Sequence, residues 1–187
     1  MKKIFPALAG LALTFLTGTA AAAQTAPAAP VTVVMTTSKG DITLELYPDK
    51  APLTVNNFLA YVDAKFYDGT IFHRVISGFM IQGGGLTADL KEKPDRAPIK
   101  NESGNGLKNA RGSIAMAREE ALNSATCQFY INHADNFGLD KTKYAVFGKV
   151  VGGMDVVDAI AAVPTATRLG NENVPRQTIT ILSVRRK

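Results

Sequence analysis

The chain has 187 residues, 46% of them hydrophobic and 20% charged, with 21 Lys and Arg against 16 Asp and Glu for a formal net charge of +5. That length fits one domain with a substantial core. Basic residues are scattered except for Arg185-Arg186-Lys187, which argues against a nucleic-acid surface, where clustered charge interleaved with aromatics is wanted.

Met1 to Ala23 reads as a cleavable signal peptide. Lys2 and Lys3 form a positive head, Ile4 to Thr19 an apolar stretch, and Ala21-Ala22-Ala23 a small-residue cleavage signature before Gln24. A transmembrane anchor is the competing reading, but the apolar stretch falls short of the ~20 residues a span needs and is diluted by Ala, Thr and Gly. Removing these 23 residues from 187 leaves 164; two of the 21 basic residues go with them and no acids, so 19 against 16 leaves +3. Gln24 to Pro30 is a flexible Pro/Ala tether with nothing to bury. The folded domain is expected over 31–187, with no stable membrane association once the signal is cleaved.

Val31 to Met35 and Ile42 to Tyr47 are strand-like, joined by turn chemistry at Ser38-Lys39-Gly40-Asp41 into a hairpin. Over Ala51 to Lys65 the period changes: Pro52 suits a first helical turn, and Val55, Phe58, Leu59 and Val62 make one apolar face. Strands follow at Thr70 to Ile76 and Phe79 to Gln82. Gly83 to Arg111 is a long glycine- and charge-rich stretch with little periodicity, a length that usually signals functional or capping work. Strands resume at Gly112 to Ala117, Gln128 to Asn132 and Tyr144 to Val150. A second helix spans Met154 to Ala162, and a strand over Thr178 to Val184 closes the chain. Short strands with two helices and no βαβ alternation predict a mainly β fold, a closed or nearly closed antiparallel barrel.

Several chemistries lack their parts. Gly83-Gly84-Gly85 has no following Lys-Ser/Thr and no predicted helix for phosphate binding. Two separated histidines and one cysteine do not compose a metal site by spacing. No Gly-x-Ser-x-Gly elbow occurs. Glu119-Glu120 reads as a solvated loop. Cys127 excludes an intramolecular disulfide because it is alone, and it reads as a small core residue. The informative segment is Phe72-His73-Arg74-Val75-Ile76-Ser77-Gly78-Phe79-Met80-Ile81-Gln82-Gly83-Gly84, two short strands joined at Ser77-Gly78. Arg74 and Gln82 stand among apolar residues, and a guanidinium there is costly unless it is paired or put to use. The pattern reads as an apolar pocket with a fixed donor at its edge, suited to a neutral carbonyl.

That run is similar to the signature of the cyclophilin family of peptidyl-prolyl cis-trans isomerases. Asn101-Glu102, Asn109 to Ala117, Ser124 to Asn132, Leu139-Asp140 and Tyr144 to Val150 resemble further segments of the same family, in order, so that the likeness covers Val31 to Lys187. Met116-Ala117-Arg118 and Tyr144 look closest to its bacterial periplasmic branch. The resemblance implies a closed eight-stranded antiparallel β-barrel capped by two α-helices, isomerisation of X-Pro bonds without cofactor or metal, and a periplasmic location. Its implied partners are proline-containing segments of unfolded or folding proteins, with a monomer as the default state.

By the same resemblance Arg74 matches the catalytic arginine and Gln82 the amide that positions it. Phe79, Met80, Tyr130 and Leu139 match the apolar proline pocket. Ala117 and Arg118 match the stretch that pairs with the substrate backbone before proline. Tyr144 stands where many members have histidine, His73 matches a family histidine beside the arginine, and Gln128 a glutamine near the groove. Three departures are visible. Ser77 replaces the proline common before the turn glycine. Tyr130 adds a hydroxyl where phenylalanine is usual, so it needs a partner if buried. Gly138 occupies the place of an aromatic linked in the family to cyclosporin binding, with Phe137 one position early; tight cyclosporin inhibition is therefore not expected.

Overall fold

The computed structural model describes residues 28–187. The signal peptide expected over 1–23 and the first part of the tether expected over 24–30 lie outside the described residues, while Ala28 to Pro30 are exposed coil. No helix among the described residues is long and apolar enough to cross a membrane.

Strands β1 (Val31–Thr37) and β2 (Gly40–Leu46) form the expected hairpin, whose alternation sends Val33, Met35, Ile42, Leu44 and Leu46 into the core. Helix α1 (Pro52–Asp63) begins at its proline, whose missing N–H costs nothing in a first turn, and buries Val55, Phe58, Leu59 and Val62. No side chain at its own start caps it. Instead the Glu102 carboxylate accepts the Leu53 and Thr54 N–H groups at 3.1 and 2.8 Å and the Thr54 hydroxyl at 2.7 Å. An anion in that place satisfies orphan donors and complements the helix dipole. The long stretch over 83–111 thus does capping work.

The chain continues through β3 (Phe72–Ile76), β4 (Met80–Gly83), β5 (Ser113–Met116), β6 (Phe129–Asn132), α2 (Gly138–Lys141), β7 (Val146–Gly152) and α3 (Met154–Ala161). A small hairpin, β8 (Thr165–Arg168) and β9 (Asn171–Pro175), precedes the last strand β10 (Ile181–Arg186). Eight strands form one sheet in the order β10-β1-β2-β7-β5-β6-β4-β3, with every neighbouring pair antiparallel. The sheet is curled. Its end strands meet at a single bridge, Ile71 with Thr180, where the Phe72 N–H reaches the Ile179 carbonyl at 3.0 Å and the Ile181 N–H the Thr70 carbonyl at 2.8 Å. The mainly β, antiparallel reading holds, but the sheet is a curled eight-stranded one without a ladder along the seam rather than the closed barrel expected from the sequence. Three elements were not foreseen, for local reasons: α2 has four residues, too few for a period, and β8 and β9 are mostly polar.

Strands β4, β5 and β6 and the first residues of β7 bury both faces, which is why β5 and β6 show no exposed position. Ile81, Ile114, Phe129, Ile131 and Phe147 point into the main core, where the Phe58 ring lies 5.7 Å from Phe129 and 5.3 Å from Phe147. Their chain neighbours Met80, Ala115, Tyr130 and Val146 turn to the opposite face and gather Ile76, Phe79, Leu107, Ala117, Leu139 and Tyr144 around them. This period-two division creates a second, smaller apolar cluster on the outer face of the sheet.

Candidate active site

Strand register assembles the outer face. Arg74 pairs with Gln82 across β3 and β4, Gln82 with Tyr130 across β4 and β6, and Tyr130 with Ala115 across β6 and β5. Directly opposed residues share a face, so one row runs guanidinium, amide, phenol, methyl. The next row is Ile76, Met80 and Asn132. The β3–β4 turn is held at Gly78, whose positive φ of 74° suits glycine; its N–H donates to His133 Nδ1 at 2.9 Å. That contact fixes a turn that has Ser77 where proline was the expectation.

These rows line an open groove of about 230 Å³ bounded by Arg74, Phe79, Met80, Gln82, Ala117, Arg118, Tyr130, Leu139 and Tyr144. Nine of the eleven residues singled out in the sequence line this one cavity. Of the other two, Gln128 supports it from behind: Gln82 Nε2 donates to Gln128 Oε1 at 3.0 Å, and Arg74 Nη1 donates to Gln82 Oε1 at 3.4 Å. His73 is buried beside Arg74 and lines a neighbouring cavity together with Arg74, Gln82 and Gln128.

Electrostatically the site is simple. Arg74 has no acidic partner among the described ion pairs, and its one side-chain hydrogen bond is the long one to Gln82. A guanidinium carries five N–H donors, so most of them are left for a ligand. Burial, reinforced by the Arg74 charge, pulls the His73 imidazole down to about 4, keeping it neutral near pH 7. The Tyr130 phenol is pushed well up by burial, then by Tyr144 and Asp140. Its hydroxyl finds the partner it needs, donating to Asn109 Oδ1 at 2.7 Å. The Cys127 thiol is buried and pushed up to about 11 by that burial, in keeping with a core residue.

Two features shape the rim. Arg118 lays its guanidinium over the Tyr144 ring at 4.7 Å and donates to the carbonyls of Thr142, Glu119 and Glu120 at 2.6, 2.7 and 2.9 Å. Its side chain thereby holds the groove wall. Phe137 is 52% exposed and is not among the groove-lining residues, and open space surrounds the position where a Cβ would stand at Gly138. No aromatic closes that side.

Residues the sequence reading missed lie beneath the groove. Asn109 and Asn132 are fully buried and join Tyr130 to Ser113, Asn136 and Asp140. An asparagine in the glycine-rich stretch before β5 carries no periodic signal, so only its burial reveals it.

The family model described as "Cyclophilin type peptidyl-prolyl cis-trans isomerase/CLD" matches residues 32–186. A peptidyl-prolyl cis-trans isomerase of Acinetobacter baylyi is 56% identical over 159 residues, covering 83% of this chain and 85% of its own. Peptidyl-prolyl cis-trans isomerase A of Dickeya dadantii is 53% identical over 157 residues, covering 82% and 83%. A crystal structure of a Cryptosporidium parvum cyclophilin-type isomerase superposes with a TM-score of 0.73 at 27% identity, covering 84% of this chain and 98% of that one. The same protein has also been solved in the presence of the dipeptide Ala-Pro.

Proposed function

This chain belongs to the cyclophilin-type peptidyl-prolyl cis-trans isomerases (EC 5.2.1.8), and on that premise we propose that it turns X-Pro bonds in the groove beside Arg74, acting on exported proteins as they fold. The difficulty of the reaction is its barrier of ~18–20 kcal/mol, because rotation breaks amide resonance while the two end states lie close in energy. No nucleophile, proton relay or metal is needed for that. The site has to hold the proline ring and favour the twisted, deconjugated amide over both planar forms.

The observation that carries this reading is a guanidinium at the lip of an apolar groove with no acidic partner among the described residues. Phe79, Met80, Tyr130 and Leu139 would take the ring, and Arg74 would donate to the carbonyl of the proline residue, drawing the imide nitrogen toward a pyramidal geometry. Gln82, braced by Gln128, would keep the guanidinium in place. Ala117 would face the backbone before proline, with Arg118 and Tyr144 as the wall and neutral His73 packed behind Arg74. No titrating group takes part, so the rate is expected to be flat around neutral pH. A binding module without turnover would need the apolar floor but not an unpaired guanidinium.

The deciding experiment is cis-trans exchange of a short X-Pro peptide measured by NMR. Acceleration at catalytic amounts of protein is expected; binding of the peptide with no acceleration would make the chain a proline-binding chaperone or scaffold. Action in the periplasm after signal cleavage further requires that protein recovered from that compartment begin near Gln24, and an intact Met1 on cytoplasmic protein would contradict it.

A further inference from the structure

The floor of the groove and its rim come from distant parts of the chain, and one side chain touches both. Asn109 is fully buried, in the stretch just before β5. Its Oδ1 accepts from the Tyr130 hydroxyl at 2.7 Å and from Asn132 Nδ2 at 3.1 Å. Its Nδ2 donates to Asp140 Oδ1 at 2.9 Å and to the Tyr144 carbonyl at 3.4 Å. Both lone pairs and both amide hydrogens are therefore used. The backbone joins in: the Asn109 N–H also reaches Asp140 Oδ1 at 2.9 Å, and its carbonyl accepts from the Asn136 N–H at 2.7 Å. Asn136 Nδ2 in turn donates to the Phe79 carbonyl at 2.7 Å.

We propose that Asn109 is a positioning residue for isomerisation, fixing the spacing of the proline pocket by tying its Tyr130 floor to the α2 rim that carries Leu139, to the backbone of Tyr144, and through Asn136 to Phe79. The inference rests on the groove being where the X-Pro bond turns. Asn109 touches no substrate. It acts through four residues that do, and it needs an acceptor and a donor at once, which only a carboxamide supplies in that shape. Alanine would leave the Tyr130 hydroxyl without its acceptor in a buried place, and Asp140 Oδ1 with only the backbone N–H of residue 109. Aspartate would keep the shape and the acceptor but set a carboxylate against Asp140.

That second change provides the test. Two carboxylates at hydrogen-bond distance share a proton over a raised pH range. In Asn109→Asp the shared proton can stand in for the missing amide donor at acid pH and is lost as pH rises, driving rim from floor. The experiment measures NMR exchange on an Ala-Pro tetrapeptide between pH 5 and 8, with circular dichroism confirming that the variant is folded throughout. Its kcat/KM relative to wild type at the same pH is expected to fall about tenfold as pH rises, since small displacements at a site cost that order in rate. A ratio constant with pH overturns the proposal. If this variant does not fold, Tyr130→Phe, which removes only the hydroxyl, is expected to lose several-fold in kcat/KM, and full retention of kcat/KM overturns it. Arg74→Ala on the same peptide separates the two levels: full activity there defeats the groove as the reaction site, whatever the result at Asn109.

Discussion

His73 and Arg74 are adjacent in the chain and meet the same low-dielectric wall with opposite outcomes. The guanidinium remains charged at any ordinary pH and reaches the groove. The imidazole, 7% exposed and beside that charge, stays neutral down to about pH 4. An unfolded histidine takes up its proton near 6.5, so between about 6.5 and 4 the unfolded chain binds more protons than the folded one. Stability from this residue is therefore complete above the unfolded value and is lost as pH falls toward the folded one. Urea unfolding at pH 7.5 and pH 4.5 should show wild type losing roughly 2–3 kcal/mol more than His73→Asn across that interval. Equal losses would mean that His73 titrates normally.

The hairpin of β3 and β4 is the element on which the site turns, and its residues were readable from the chain because they are contiguous. The pocket's apolar members could be assigned only through the resemblance, since Met80, Tyr130 and Leu139 look like core residues by pattern alone. Register decides otherwise. A slip of one residue between β4 and β6 would send Tyr130 inward and Ile131 out to the groove, and nothing in the local sequence fixes that pairing. The Asn109 network was illegible for a related reason, because its partners lie 21 to 35 residues away. Support for the hairpin continues into Gly85, where an added Cβ would stand 2.5 Å from Gln128 Cγ. Gly85→Ala should displace the Gln128 amide from Gln82 while the backbone stays unstrained. We expect about a fivefold loss in kcat/KM with little change in thermal midpoint, as befits a small misplacement near the reacting group. Unchanged kinetics would show that Gln128 is not needed to brace Gln82.

At the scale of the whole molecule, curling the sheet gives β4, β5, β6 and the start of β7 two buried faces, one toward α1 and the main core and one toward the groove. The eight strands of the main sheet and the two longer helices were legible in the sequence, because alternation and a proline start are local signals. Whether the end strands pair along a ladder or at one bridge depends on contacts between residues as far apart as Ile71 and Thr180, and short-range pattern has no access to that. The groove so formed is open on the side of Gly138, and in the proposed reaction ring and backbone contacts would hold the peptide while Arg74 would supply the donor to the proline carbonyl. Arg74 is therefore the residue on which the proposed reaction depends. Exchange of an X-Pro peptide by Arg74→Ala should fall about 10²-fold in kcat/KM, the scale for removing one donor that favours a transition state. Peptide affinity should stay within a few-fold, because the apolar floor is intact. An Arg74→Ala protein that turns the bond at the wild-type rate would contradict the account.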